Sequence, residues 1–231
     1  MKHSGKAQQA AQDFLARAFV VLLIILIVLL ACTVAGLLGR AAGPMFGCLA
    51  LLWIIFALLT HYFFRDPNPK VPAGESLIVS PAHGKVDVIE ESAEPEFIGG
   101  RCRRISIFLS VFNVHVQYAP VEGRVIFLKH KPGRYLNAMR ADCVSANENV
   151  LIGFVPKERP SEKVGVRLVA GVIARRIVPW AMEGDDVARG ERISLIQYGS
   201  RVEVYLPCSA KVKVKCGDKV KGGETVIAIF E

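Results

Sequence analysis

The run from Leu195 to Pro207 holds two strand-like patterns separated by Gly199-Ser200. That pair is the smallest unit able to cut its own backbone. Gly199 has no Cβ to shield its carbonyl or to forbid strained dihedrals, and the Ser200 hydroxyl can attack that carbonyl. The peptide then becomes an ester able to eliminate. A plain bend is the simpler reading of a Gly-Ser pair, so other residues must decide. His115 stands in the apolar stretch Val111 to Val116, which reads as a strand; an imidazole there either satisfies a core hydrogen bond or moves a proton. His83 is a second ring, in Pro81-Ala82-His83-Gly84. Arg134, after Pro132-Gly133, and the adjacent Arg175 and Arg176 offer guanidinium forks for phosphate or carboxylate, with surface salt bridges as the alternative. Glu148 and Asn149 fall in a segment expected to cover the site. No metal cluster or catalytic lysine is legible. Cys32, Cys48, Cys102, Cys143, Cys208 and Cys216 show no CxxC pairing and read as reduced, structural residues in a cytosolic setting.

Positioning these groups falls to two unlike parts of a chain of 231 residues, 52% of them hydrophobic, with the apolar residues piled into the first third. Ala18 to Gly39 and Ala41 to Thr60 carry no charge, and each could span a hydrocarbon core of about 30 Å. A cleaved signal peptide competes for the first run, but that run is long for such a core and a second follows at once. Leu38 to Pro44 separates them, with Gly39, Gly43 and Pro44 as breakers, so a tight helical hairpin is expected. Lys2, Lys6 and Arg17 before it and Arg65 and Lys70 after it put both ends in the cytoplasm, against a weak counter-signal from Arg40. A shallow hairpin in one leaflet is the alternative. The expected organisation is a cytoplasmic segment over 1–17, a hairpin over 18–64 and a β-rich domain over 65–231.

The prolines of Pro67-Asn68-Pro69-Lys70-Val71-Pro72 end the second helix. Short alternating runs follow: Leu77 to Ser80, Val86 to Ile89, Arg104 to Val111, Arg124 to Leu128, Val164 to Ala174, Arg192 to Gln197, Arg201 to Leu206, Lys211 to Val214 and Thr225 to Ile229. The fold class is therefore mainly β, with the helical hairpin attached. Val178 to Ile196 and Lys211 to Phe230 each turn through a Gly-Asp and a Gly-Glu, and resemble half-motifs of biotinyl or lipoyl carrier domains. The hairpin that would present a carrier lysine is missing, so the likeness is one of architecture. A net charge of +8 suits an anionic membrane surface or a solvated basic face. Nucleic acid is the usual rival, but no recognition helix or aromatic-studded basic strand accompanies the charge.

Five stretches in register carry a resemblance to the short bacterial form of phosphatidylserine decarboxylase. They are Phe63-Phe64-Arg65-Asp66-Pro67, Ser80-Pro81-Ala82-His83-Gly84-Lys85-Val86, Ser110-Val111-Phe112-Asn113-Val114-His115-Val116, Ala170-Gly171-Val172-Ile173-Ala174-Arg175-Arg176-Ile177 and Tyr198-Gly199-Ser200-Arg201-Val202. The resemblance implies a proenzyme of the inner membrane that cuts itself between Gly199 and Ser200. It implies a large chain ending at Gly199 and a small chain whose Ser200 becomes pyruvoyl, a covalent pyruvate cofactor that forms a Schiff base with phosphatidylserine and sheds CO2. It makes His115 the acid that protonates the product, and it carries the expectation of a homodimer. The sequence departs from the family at His83, where Ala-Asp-Gly is usual and the aspartate helps activate the serine. His83 then serves as the base, or an acid such as Asp87 substitutes, or maturation fails. Two rivals stand beside this reading: the same chemistry on another serine-headgroup lipid, and an unprocessed membrane-bound binding protein.

Overall fold

The computed structural model describes residues 2–136, 146–171, 176–197 and 200–231. It divides into two compact units, one of residues 5–66 and one of residues 1–4 with 67–231. The first unit is a helical hairpin, α1 (Lys6–Val34) and α2 (Ala42–Phe63), joined through a short 3-10 turn at Gly39–Ala41. At helical rise the two span about 44 and 33 Å, and both are long and apolar enough to cross a membrane. Phe14 meets Phe56 and Phe19 meets Trp53, each with ring centroids 5.7 Å apart. Thr33 and Thr60 donate their hydroxyls to the carbonyls of Leu29 and Phe56, so neither leaves an orphan donor on an apolar surface. Gly43 and Pro44, expected in the turn, lie instead in the first turn of α2, where a missing N–H costs nothing. Gly36 and Gly39, at φ +74° and +50°, make the reversal.

The second unit is mainly β. Its strands are β1 (Leu77–Val79), β2 (Gly84–Glu94), β3 (Gly100–Leu109), β4 (Val116–Tyr118), β5 (Gly123–Lys131), β6 (Asn149–Pro156), β7 (Val164–Ala170), β8 (Arg176–Pro179), β9 (Asp186–Val187), β10 (Arg192–Gln197), β11 (Ser200–Leu206), β12 (Lys211–Val212), β13 (Lys219–Val220) and β14 (Val226–Ile229). An eight-stranded sheet runs β13-β2-β3-β11-β7-β6-β5-β9, and two three-stranded sheets run β1-β14-β12 and β4-β10-β8. This order repeats one seven-strand pattern twice: β4 to β10 reproduce the pairings of β1, β2, β3, β11, β12, β13 and β14 in that order. The second copy is inserted between the third and fourth strands of the first. The sequence echoes it in Pro81-x-x-Gly84 against Pro120-x-x-Gly123, and in the Gly184 and Gly190 turns against those of Gly217 and Gly223, all four at positive φ. The two copies meet where β11 pairs antiparallel with β7.

Alternation along these strands sends Ile105, Ile107, Leu109, Val166, Leu168, Val202 and Val204 into one apolar core. The opposite face carries a buried polar web. Arg167 donates to Glu94 at 3.0 Å, Asn149 at 3.0 Å and the Tyr205 hydroxyl at 3.2 Å. Tyr205 donates on to Glu203, which also takes Arg104 at 2.8 Å. Burial pushes the Tyr205 phenol far above its ordinary pKa, so it stays a donor. Replacing Arg167 by leucine would take the counter-ion from the buried Glu94 carboxylate and leave it, among the described residues, only the backbone amides of Glu96, Phe97 and Ile98. The expected loss is about 3–5 kcal/mol, read as a fall in the urea midpoint at unchanged slope.

Candidate active site

Ser200 opens β11 and pairs with Leu109 at the end of β3 on one side and with Ala170 at the end of β7 on the other. Beyond these ends all three strands leave the eight-stranded sheet for the sheet β4-β10-β8, because β10 pairs with both β4 and β8. The chain therefore crosses between the two sheets three times at neighbouring strand ends: from Leu109 to Val116, from Ala170 to Arg176 and from Gln197 to Ser200. The first and last of these crossings are where the chain enters and leaves the inserted copy. That topology sets His115 against Ile196, four residues before Ser200, although the two are far apart in sequence. Gly199 and Arg175, like Cys143, lie outside the described residues.

Ser200 is wholly buried, and its side chain shares the core face with Leu109 and Ala170. Its Oγ has no hydrogen-bond partner among the described residues. A buried hydroxyl left so costs about 1–3 kcal/mol, which marks the position as one held for something other than stability.

His115 is fully buried but is not in a strand: residues 111–113 form a turn, and β4 begins one residue after His115. Asn113 accounts for the difference, since its Oδ1 accepts from both the amide and the hydroxyl of Ser110 at 2.9 Å and closes the turn. The His115 carbonyl accepts from Gln117 Nε2 at 2.6 Å and from the Ile196 amide at 3.1 Å, which fixes it against β10. Its Nδ1 lies 2.8 Å from the Asn113 carbonyl oxygen. A carbonyl can only accept, so Nδ1 bears the proton and Nε2 is the acceptor of the neutral ring.

His83 lies in the turn that leads into β2, edge-on to Tyr118 with ring centroids 5.8 Å apart. Gly222 closes the other side, where an added Cβ would meet both rings. The register Lys85↔Phe108↔Arg201 puts this turn level with Ser200 but two strands away, about 10 Å between backbones. Asp87 is on the other face of the sheet, where Arg201 binds it at 2.6 Å while also donating to Ser106 at 2.6 Å. It is thus separated from the Ser200 hydroxyl by the sheet itself.

Arg176 is exposed and pairs with Gln197, three residues before Ser200. Arg134 is exposed too and bridges Asn147. Asn147, unmarked by any sequence pattern, is the tie between this segment and the site: its amide nitrogen donates to Ala170 O at 2.7 Å and Leu136 O at 2.8 Å, and its oxygen accepts from the Leu136 amide at 2.8 Å. Glu148 takes His130 at 3.0 Å and the Tyr135 hydroxyl at 2.9 Å, while Asn149 belongs to the web behind the sheet. Cys102 is buried and its thiol is pushed up to about 11, which keeps it protonated and inert.

The phosphatidylserine decarboxylase family model matches residues 56–228. The chain is 42% identical over 179 residues to the phosphatidylserine decarboxylase proenzyme of Desulfotalea psychrophila, covering 78% of this chain and 83% of that protein. It is 44% identical over 171 residues to the proenzyme so named from Symbiobacterium thermophilum, covering 74% and 79%. With the one from Syntrophus aciditrophicus it shares 42% over 182 residues, covering 79% and 84%. The family match runs from within α2 into β14 and takes in His83, His115 and Ser200, and the chain belongs to the phosphatidylserine decarboxylase family of decarboxylase enzymes.

Proposed function

We propose that the chain cuts its own Gly199-Ser200 bond, that Ser200 becomes the pyruvoyl head of the small chain, and that the mature enzyme converts phosphatidylserine to phosphatidylethanolamine and CO2. The observation that carries this is the Ser200 hydroxyl, buried and unpartnered among the described residues at the first residue of a central strand. Such a group fits a serine that is consumed, since nothing described in the fold depends on its oxygen. A pyruvoyl group supplies an electrophilic carbonyl for the substrate amine and an adjacent amide that draws off the electrons released with CO2. The rest falls to the chain's own side chains. His115 Nε2 is the proton carrier, accepting a proton while Nδ1 stays bound to Asn113 O and returning it to the product. His83 is the base for self-cleavage. Arg176 and Arg134, with Arg175, receive the phosphate and carboxylate of the headgroup. The core strands that surround Ser200 exclude water from the reacting carbon.

The helical hairpin would hold this unit to the inner membrane with the catalytic domain in the cytoplasm, as the flanking lysines and arginines favour. The test is an intact-mass spectrum of the purified chain, run beside CO2 release from phosphatidylserine bilayers. A small chain beginning with pyruvoyl at position 200, together with CO2 release, is the expected result. One uncut chain without CO2 release would make the protein a membrane-bound binding protein.

A further inference from the structure

Outside α1 and α2, the exposed large apolar side chains among the described residues of the β unit are Val111, Phe112, Ile126, Tyr135 and Met182. Three of these five gather at the catalytic end of the sheet. Val111 and Phe112 follow Leu109, the partner of Ser200 on one side; Tyr135 lies in the segment that Asn147 ties to Ala170, the partner on the other. Phe112 is 69% exposed on a turn that Asn113 holds shut by three hydrogen bonds. A phenylalanine exposed on a rigid turn enters an apolar medium without further ordering. The rim is basic: Lys131, Arg134 and Arg176 are exposed, while the carboxylate of Glu148 is taken up by His130 and Tyr135.

We propose that this end of the β unit is a docking surface for an anionic lipid bilayer, with Val111 and Phe112 as the wedge, Tyr135 as a second apolar contact and Lys131, Arg134 and Arg176 as the headgroup ring. An amphipathic, basic-rimmed apolar tip is the chemistry that an interface with negative lipid headgroups recognises. The inference rests on the phosphatidylserine reading and extends it. Phe112 and His115 are three residues apart on one connection, so seating the wedge sets the depth at which His115 and Ser200 meet a headgroup.

The test uses the full chain in nanodiscs containing anionic lipid, with Phe112→Trp in a background of Trp53→Phe and Trp180→Phe. Brominated acyl chains are expected to quench the emission of the single introduced indole, and raised salt to reduce the quenching. In parallel, Phe112→Ser is expected to lower turnover of bilayer phosphatidylserine roughly tenfold, the low end of what burying such a side chain yields, with the yield of the small chain unchanged. Emission that is unaffected by brominated lipid overturns the proposal. So does emission shifted to the blue without quenching, which would mean a second protein copy covers the turn. Failure of the underlying reading shows separately, as an uncut chain in the mass spectrum of the same sample.

Discussion

Replacing Ser200 by alanine is expected to leave one uncut chain of 25.3 kDa that releases no CO2 and unfolds no more easily than the wild-type preparation. Loss of function with retained stability is the informative combination. Most buried polar side chains cannot be cut back without harm, because a partner is left behind. Ser200 Oγ leaves none among the described residues, and removing it relieves an unsatisfied group worth about 1–3 kcal/mol. The methyl that remains faces Leu109 and Ala170 on an apolar face. Mass spectrometry reads the cleavage, a bilayer assay reads the CO2, and thermal unfolding reads the fold. A marked fall in melting temperature would mean that Ser200 is a packing residue, and activity in the uncut variant would end the self-cleavage reading.

The register also says why a cut chain need not fall apart. Cleavage before Ser200 would free the N-terminal end of β11, yet β11 is central in the eight-stranded sheet, paired with β3 from Ser200 to Leu206 and with β7 from Ser200 to Tyr205. Further on, β13 pairs with β2 and β14 with β1. The last four strands of the chain belong to the first copy of the repeated pattern, so both fragments complete one another's sheets.

The candidate residues of this molecule are more visible in the sequence than its topology. Gly199-Ser200 and His115 stand out because their residue types are wrong for plain strands, and the helical hairpin because uncharged runs of that length have few other uses. β6 escapes a reading by alternation: Asn149 to Pro156 is buried almost throughout, so it shows no period to betray it. The run Val164 to Ala174, continuous as a pattern, stops at Ala170, and Arg176 resumes in a different sheet. Apolar periodicity reports burial and not partner, so such a change of sheet leaves no trace in it. Likewise the half-motifs around Gly184 and Gly217 are visible as echoes, but the insertion of one copy inside the other is a matter of long-range pairing. Asn113 and Asn147 are silent in the sequence for a related reason, since their work is to bind backbone groups that only the folded chain brings near.

Changing His115 to asparagine is expected to cut decarboxylation by about 10²–10⁴-fold, the usual yield of a positioned acid–base group. Asparagine is the apt replacement because its amide nitrogen stands where Nδ1 does and can still donate to the Asn113 carbonyl, as Nδ1 does at 2.8 Å, so the turn that carries residue 115 keeps its tie. The backbone anchors to Gln117 and Ile196 involve the carbonyl of residue 115 and survive any side-chain change. What asparagine lacks is any group at the far end of the ring to exchange a proton. The loss should therefore appear in kcat with little change in KM, because His115 is not among the groups offered to the headgroup. Measuring turnover on the fraction already cleaved separates this step from maturation, which His83 is proposed to assist. A variant that keeps turnover within tenfold of wild type would make His115 a core histidine satisfied by Asn113, and would move the search for the proton carrier to His83, the other ring level with Ser200 in the strand register.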